Sequence, residues 1–204
     1  MPKPTILCLA LLCAALPAPA SATVGGPNSF EVWGVDPKAS KLLLRESVGG
    51  ESGEFRLWSF DLKAPKAAPV LTPLEANGKA PAGLEKPTSL ATNEVKLAGS
   101  IAAQSLAPVQ DSLIQRFDLK VELSWSTARA TAGLVAYRTA TVQMVGTFLL
   151  PGGRCALALI SSMGKPEEGG YALQVPVLLC ADKPVLAPSR EGPAAPPRRP
   201  TRVP

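Results

Sequence analysis

Residues 30–62, FEVWGVDPKASKLLLRESVGGESGEFRLWSFDL, decide the fold that we predict for this chain. Within them, two runs rich in Leu, Phe and Trp, at 41–46 and 55–62, flank a short loop of Gly, Ser and Glu. Apolar runs separated by a glycine-bearing loop are typical of a β-hairpin. Asp36-Pro37 before the first run is a turn signal, because proline presets φ and aspartate can bond its own backbone. The stretch therefore predicts a hairpin.

The second half of the chain carries the clearest strand pattern. Apolar and polar residues alternate strictly over residues 117–125, which predicts a strand with one face buried and the other in water. Three more strand-like runs follow at 137–150, 155–163 and 171–179, and their spacing is typical of a meander. Pro176 lies in the last run, so we expect this strand at a sheet edge or at a bulge.

The region between these parts is predicted to hold one helix. Residues 63–87 carry five prolines and form a connector that either lies across the surface or acts as a flexible arm. Thr88 or Ser89 can then cap a helix that Pro108 ends. Its apolar side is formed by Leu90, Val95, Leu97, Ala98 and Ile101. The predicted fold class is α+β: an antiparallel β-sheet, built from an N-terminal hairpin and a C-terminal meander, with one helix packed on it.

Residues 1–22 have the pattern of an export signal. Lys3 is followed by an apolar run at 6–16, and small residues at 20–22 place a signal-peptidase cut before Thr23. The apolar run is shorter than the ~20 residues of a membrane-spanning helix. The alternative is a retained N-terminal anchor. We expect an exported protein, periplasmic or extracellular, with no transmembrane segment after signal cleavage.

The remaining sequence predicts one domain over residues 23–183 and a disordered Pro/Arg-rich tail over 184–204. Four arginines and one glutamate in the tail, with Lys3 in the signal, account for all but one charge of the net +5. The alkaline pI is therefore a property of the tail, which predicts weak contact with anionic surfaces. Specific nucleic-acid binding would need a basic stripe on the domain, and we expect none.

Two of the four cysteines, Cys155 and Cys180, lie outside the signal. In an oxidising compartment they are expected to form a disulfide. The alternative is a pair of unbridged cysteines buried in strands. Because there is no C-x-x-C spacing, the chain lacks the motif of a thiol–disulfide oxidoreductase.

The composition excludes most familiar catalytic chemistry. The chain has no histidine, which removes Ser-His-Asp and Cys-His catalysis and His-ligated zinc. It also lacks the glycine-rich strings that bind phosphates. We therefore expect no cofactor, no metal and no catalytic residue.

Two patterns could still carry a hydrolase. Ser162-Met163-Gly164-Lys165 fits the S-x-x-K motif in which lysine activates serine, but the S-x-N and K-T-G elements that accompany it are absent. The acidic pairs, Glu167 with Glu168 and Glu51 with Glu54, lie in loops that cannot hold two carboxylates rigidly across a cleft. A solvated turn and solubilising loop residues are the preferred interpretations.

The first hairpin also resembles a known motif. Residues 35–38 (VDPK), 41–44 (KLLL) and 56–62 (RLWSFDL) are similar to the F-S-P-D-G-x-x-x-A-F … I-Y-V-x-D-L hairpin of TolB-type propeller repeats. That hairpin also opens a family of predicted secreted bacterial proteins of unknown function, whose order of elements this chain resembles more. The hairpin occurs once here, whereas a propeller needs at least four blades. The chain departs from the motif at Lys38 and Ala39, where Asp-Gly is usual, and the resemblance implies no activity.

Two functions of different classes follow. The first is a non-catalytic exported protein that binds a protein or ligand in the cell envelope or outside, with Trp33, Phe55 and Trp58 as a possible interaction surface. The alternative is a His-free hydrolase that uses carboxylates or a Ser/Lys pair. Convergence of Ser162, Lys165 and the glutamates in one pocket would favour the hydrolase, and their scatter over turns would favour the binding protein.

Overall fold

A computed structural model of the protein describes residues 28–49, 53–75, 77–109, 111–164 and 172–185. These residues form eleven strands and one short 3-10 turn at Thr92–Glu94, with no α-helix among them. The strands are β1 (Asn28–Asp36), β2 (Lys41–Val48), β3 (Glu54–Asp61), β4 (Val70–Leu74), β5 (Thr88–Ser89), β6 (Lys96–Val109), β7 (Ser112–Trp125), β8 (Ala128–Tyr137), β9 (Val142–Leu149), β10 (Cys155–Met163) and β11 (Ala172–Cys180).

The strands form three antiparallel sheets. Sheet A has the order β1-β2-β3-β4, sheet B the order β11-β10-β9-β5, and sheet C the order β6-β7-β8. Sequential strands are neighbours almost throughout, as expected for meanders joined by short turns. The predicted export signal at 1–22 and the tail after residue 185 lie outside the described residues.

Sheet B is the middle layer, and β10 is its most buried strand. Leu157 and Leu159 of β10 pack with Leu42 and Leu44 of sheet A. The alternate residues of β10, among them Ile160, pack with the inner face of sheet C. Because side chains alternate across a strand, a strand covered on both sides must be apolar almost throughout. The CALALISS sequence of β10 satisfies this requirement, and its first eight residues are buried.

The predicted first hairpin is confirmed. Strands β2 and β3 pair antiparallel from Lys41 opposite Asp61 to Val48 opposite Glu54, and β1 extends the sheet on the other side of β2. The Asp36 carboxylate accepts hydrogen bonds from the backbone N–H groups of Lys38 and Ala39, at 2.9 and 3.1 Å. The turn chemistry read from Asp36-Pro37 therefore forms as expected.

The strand predictions in the second half are confirmed, with one change of boundary. The alternating residues 117–125 form the second part of β7, with apolar side chains buried on one face. Runs 155–163 and 171–179 correspond to β10 and β11, whereas run 137–150 covers the last residue of β8 and all of β9. Pro176 lies in β11, an edge strand of sheet B, as its missing N–H requires.

The predicted helix is wrong, and so is the α+β fold class: the described residues are nearly all β. The segment after Thr88 forms β5, the 3-10 turn and the 14-residue strand β6, which pairs with β7 along its whole length. Leu97 and Ile101 misled the prediction because residues four apart share a face in a helix and in a strand alike. Continuous backbone pairing with β7 then outweighs helix propensities of less than ~1 kcal/mol per residue.

The disulfide is present as predicted. Cys155 opens β10 and Cys180 ends β11, directly opposite each other, and their sulfur atoms are bonded. Cys155 belongs to the core between sheets A and B. The bridge therefore fastens the two strands of the middle layer at the end where the chain leaves β11.

Candidate interaction surface

The three aromatic residues proposed as an interaction surface are largely built into the sheet. Trp33 is 3% exposed. Trp58 is half-buried, contacts Phe30 edge-on with ring centroids 5.3 Å apart, and stacks on Phe60 at 6.1 Å. Phe55 lies on the opposite face of β3, under the Arg45 guanidinium at 4.2 Å. The structure does not bring these three rings together on one exposed face.

A buried polar cluster explains why Trp58 points inward. Glu46 is 5% exposed, and its carboxylate accepts hydrogen bonds from Trp58 Nε1 at 2.8 Å and from Asn28 Nδ2 at 2.9 Å. Asn28 Nδ2 also donates to the Gln174 carbonyl, and the Gln174 N–H donates to Asn28 Oδ1. The cluster joins three strands of sheet A to β11 of sheet B, which is the arrangement of a structural link between layers.

The S-x-x-K serine is also engaged by the fold. Ser162 is 4% exposed, and its hydroxyl donates to the Val135 carbonyl of β8 at 2.9 Å. Lys165, Glu51, Glu167 and Glu168 lie outside the described residues. Within the described ranges, no group of three or more His, Cys, Asp or Glu side chains is arranged to hold a metal ion.

Among the described residues from Lys96 onward, the most exposed large apolar side chains lie along the β6–β7 hairpin. Ile101 is 53% exposed, Leu106 62% and Leu113 67%. We call these three residues, together with the solvent-facing edge of β6, the β6 edge. Strand β6 is one of the two edge strands of sheet C. An edge strand presents unpaired N–H and C=O groups to solvent.

The exposed residues of the β6 edge lie on the core-facing side of sheet C. Ile101 is opposite the buried Leu119, and Leu106 is opposite Gln115. Residues two apart in a strand share a face, so Leu113 and Gln115 lie on the same side as the buried Phe117. The apolar face of sheet C thus continues beyond the part that sheet B covers.

The other sheet edges are more strongly protected than β6, whose single proline, Pro108, lies near the end of the strand. On β1, Val35 exchanges two backbone hydrogen bonds with Glu85, at 2.9 and 2.8 Å. Strand β4 has five residues including Pro73, β5 has two, and β11 contains Pro176. Short strands and prolines are the devices by which proteins block unwanted strand pairing.

Strand β8, the opposite edge of sheet C, has two of its carbonyls occupied by side chains. The Val135 carbonyl accepts from Ser162, and the Ala128 carbonyl accepts from Arg129 at 3.0 Å. By contrast, β6 carries no charged residue after Lys96. Its only interruptions are a bulge at residue 102 and Pro108. Within the described part of the chain, β6 is therefore the longest and least protected edge.

Sequence reasoning missed this surface because it assigned the segment to a helix. The available signal was the absence of charge over residues 97–110, which an exposed helix face does not favour.

No family model, curated protein or solved structure shows significant similarity to the chain. The resemblance of the first hairpin to TolB-type repeats and to the secreted family stays a prediction. None of the described helical residues form a segment with the length and apolarity needed to cross a membrane.

Proposed function

We propose that this is an exported, non-catalytic protein that acts by binding another polypeptide strand along the β6 edge. The observation that carries the proposal is a 14-residue edge strand, uncharged after Lys96, with exposed Ile101 and Leu106. Addition of an extended segment to such an edge supplies main-chain hydrogen bonds, and apolar side chains beside it supply affinity. This surface replaces Trp33, Phe55 and Trp58 as our candidate for the contact.

Two further observations support the proposal. The signal-like sequence at 1–22 favours export, and the Cys155–Cys180 bridge is compatible with an oxidising compartment. The alternative is a His-free hydrolase that uses carboxylates or a Ser/Lys pair, and its Ser/Lys route needs a serine hydroxyl in a pocket. Ser162 is buried and donates to a backbone carbonyl, which supports the non-catalytic choice.

The proposal is tested by site-specific photocrosslinking in the host envelope. A photoreactive amino acid at Leu106 is compared with the same group at Val70 of β4, since both side chains are 62% exposed. We expect a discrete crosslinked species from Leu106 and none from Val70, with the crosslinked polypeptide identified by mass spectrometry and its binding then measured with purified proteins. Equal labelling from both positions, or none from Leu106, would contradict the proposed surface.

A further inference from the structure

We propose that the strand bound at the β6 edge is β6 of a second copy of this chain, in antiparallel orientation. This inference rests on the proposed function, because it takes the β6 edge to be a polypeptide-binding surface. Two antiparallel β6 strands would join two copies of sheet C into one six-stranded sheet with the order β8-β7-β6-β6-β7-β8. A twofold axis perpendicular to the sheet relates the copies, as in most homodimers.

The position of the bulge makes β6 self-complementary. The register of β6 on β7 shifts between Ile101 and Ala103, so residue 102 is the extra residue. Before it, residues 97, 99 and 101 are on the inner, core-facing side; after it, residues 104, 106 and 108 are. A twofold axis between Ala102 and Ala103 pairs each inner residue of one strand with an inner residue of the other. The inner pairs are Leu97 with Pro108, Gly99 with Leu106, and Ile101 with Gln104.

The same axis uses the whole strand. It places Lys96, the first residue of β6, opposite Val109, the last residue, so all 14 residues find a partner. The central position of the bulge is what allows this match. A one-residue shift in pairing exchanges the two faces of a strand. A partner strand without a bulge at the corresponding point would therefore match inner residues with inner residues on only one side of residue 102.

Charge and side-chain size also favour a second copy. Lys96 is the only charged residue of β6, and the two lysines of a dimer would stand at opposite ends, roughly 45 Å apart for a strand of this length. No like charges face each other across the junction. Gly99 has open space where a Cβ would lie, and it stands opposite the exposed Leu106, so a small residue meets a large one.

The outer side of β6 provides a test that leaves the monomer intact. Ser100 and Ser105 are exposed and would face each other across the junction. Within one copy Ser100 is opposite Lys120, and Ser105 is opposite Arg116. Glutamates at both positions therefore meet cations in their own sheet but meet each other between copies, where directly opposed like charges are destabilising.

The experiment is sedimentation velocity on the exported full chain at several protein concentrations. We expect the wild-type protein to sediment as a dimer, and Ser100→Glu/Ser105→Glu to raise the dimer dissociation constant at least tenfold with an unchanged thermal midpoint. Ser100→Gln/Ser105→Gln has side chains of similar size without charge and is expected to dimerise like the wild type. A wild-type monomer at all concentrations, or a dimer that the double glutamate leaves unchanged, would overturn the inference.

Cysteine crosslinking tests the register itself. Ser100→Cys/Ser105→Cys is expected to give a covalent dimer on non-reducing gels, because the axis places the two positions opposite each other. Ser100→Cys alone serves as the control, since its two copies would lie roughly 17 Å apart and should not crosslink. Crosslinking by the single variant and not by the double would exclude this register. If the protein is monomeric while Leu106 still photocrosslinks a different polypeptide, the self-pairing fails and the proposed function stands.

Discussion

At the scale of single residues, Glu46 shows how period two in a strand dictates polar chemistry in the core. It lies in β2 on the same face as Leu42 and Leu44, which pack against sheet B. A carboxylate on that face must find donors, because an unpaired buried charge is costly. Trp58 and Asn28 supply them. Trp58, which the sequence suggested as part of an interaction surface, therefore donates a hydrogen bond to a buried carboxylate.

Replacement of this acid is expected to destabilise the protein. Glu46→Ala leaves Trp58 Nε1 and one Asn28 contact without an acceptor in a buried site, and each unsatisfied buried group costs ~1–3 kcal/mol. We expect a loss of roughly 3 kcal/mol in the free energy of unfolding, measured by chemical denaturation with the disulfide intact. The matched control is Glu54→Ala, an exposed glutamate of β3, which should change stability by less than ~0.5 kcal/mol. Equal stability of the two variants would show that the cluster is not a link between layers.

At the scale of elements, local sequence patterns predicted the strands whose period and turn residues are unambiguous. They failed where pairing with another strand decides the structure. The hairpin at 41–62 and the alternation at 117–125 were predictable because their periods and turn residues point to one structure. Residues 96–109 were not, because their small side chains fit a helix as well as a strand, and pairing with β7 decided between them. The candidate site could not be predicted either, because the β6 edge exists only when residues 96–109 form a strand.

The crossing of the connector over β1 gives an element-scale prediction. Gly34 has φ +135°, and a Cβ there would lie 2.6 Å from the Glu85 carbonyl oxygen, which accepts the Val35 N–H. Gly34→Ala is therefore expected to cost roughly 2–3 kcal/mol and to speed cleavage after Glu85 by a glutamate-specific protease. Gly133→Ala, with open space around its Cβ and no positive φ, should be neutral within ~0.5 kcal/mol. Unchanged proteolysis of Gly34→Ala would mean that the connector does not depend on this contact.

At the scale of the whole molecule, the three sheets form three layers, and sheet B is the middle layer that packs against both of the others. The core between sheets A and B and the core between B and C draw on opposite faces of β10. The C-terminal end of the described chain joins this arrangement. The Val185 N–H donates to the Gly153 carbonyl at 2.7 Å, and its side chain packs against the B–C core. The predicted tail, 184–204, is therefore best tested by a cut after Val185.

Deletion of residues 186–204 is expected to separate charge from stability. These residues carry four arginines, at 190, 198, 199 and 202, each contributing ~1 kcal/mol near an anionic membrane and less as salt rises. We expect an unchanged thermal midpoint together with loss of binding to anionic lipid vesicles in a flotation assay. Substitution of the four arginines by serine in the full chain is the control and should lose binding equally. Vesicle binding that survives deletion would reveal a basic face elsewhere on the protein.

The doubly covered strand β10 also has a consequence for how the protein comes to be folded. Synthesis proceeds from the N-terminus, and both outer sheets are complete in the sequence by Tyr137, before β9, β10 and β11 are made. Until then the leucines of β2 and the apolar face of β7 have nothing to cover them, and exposed apolar surfaces of this kind make nascent chains prone to aggregation. The two outer sheets are thus synthesised before the middle sheet is complete, and we expect the nascent chain to need holdase chaperones until β10 has been made.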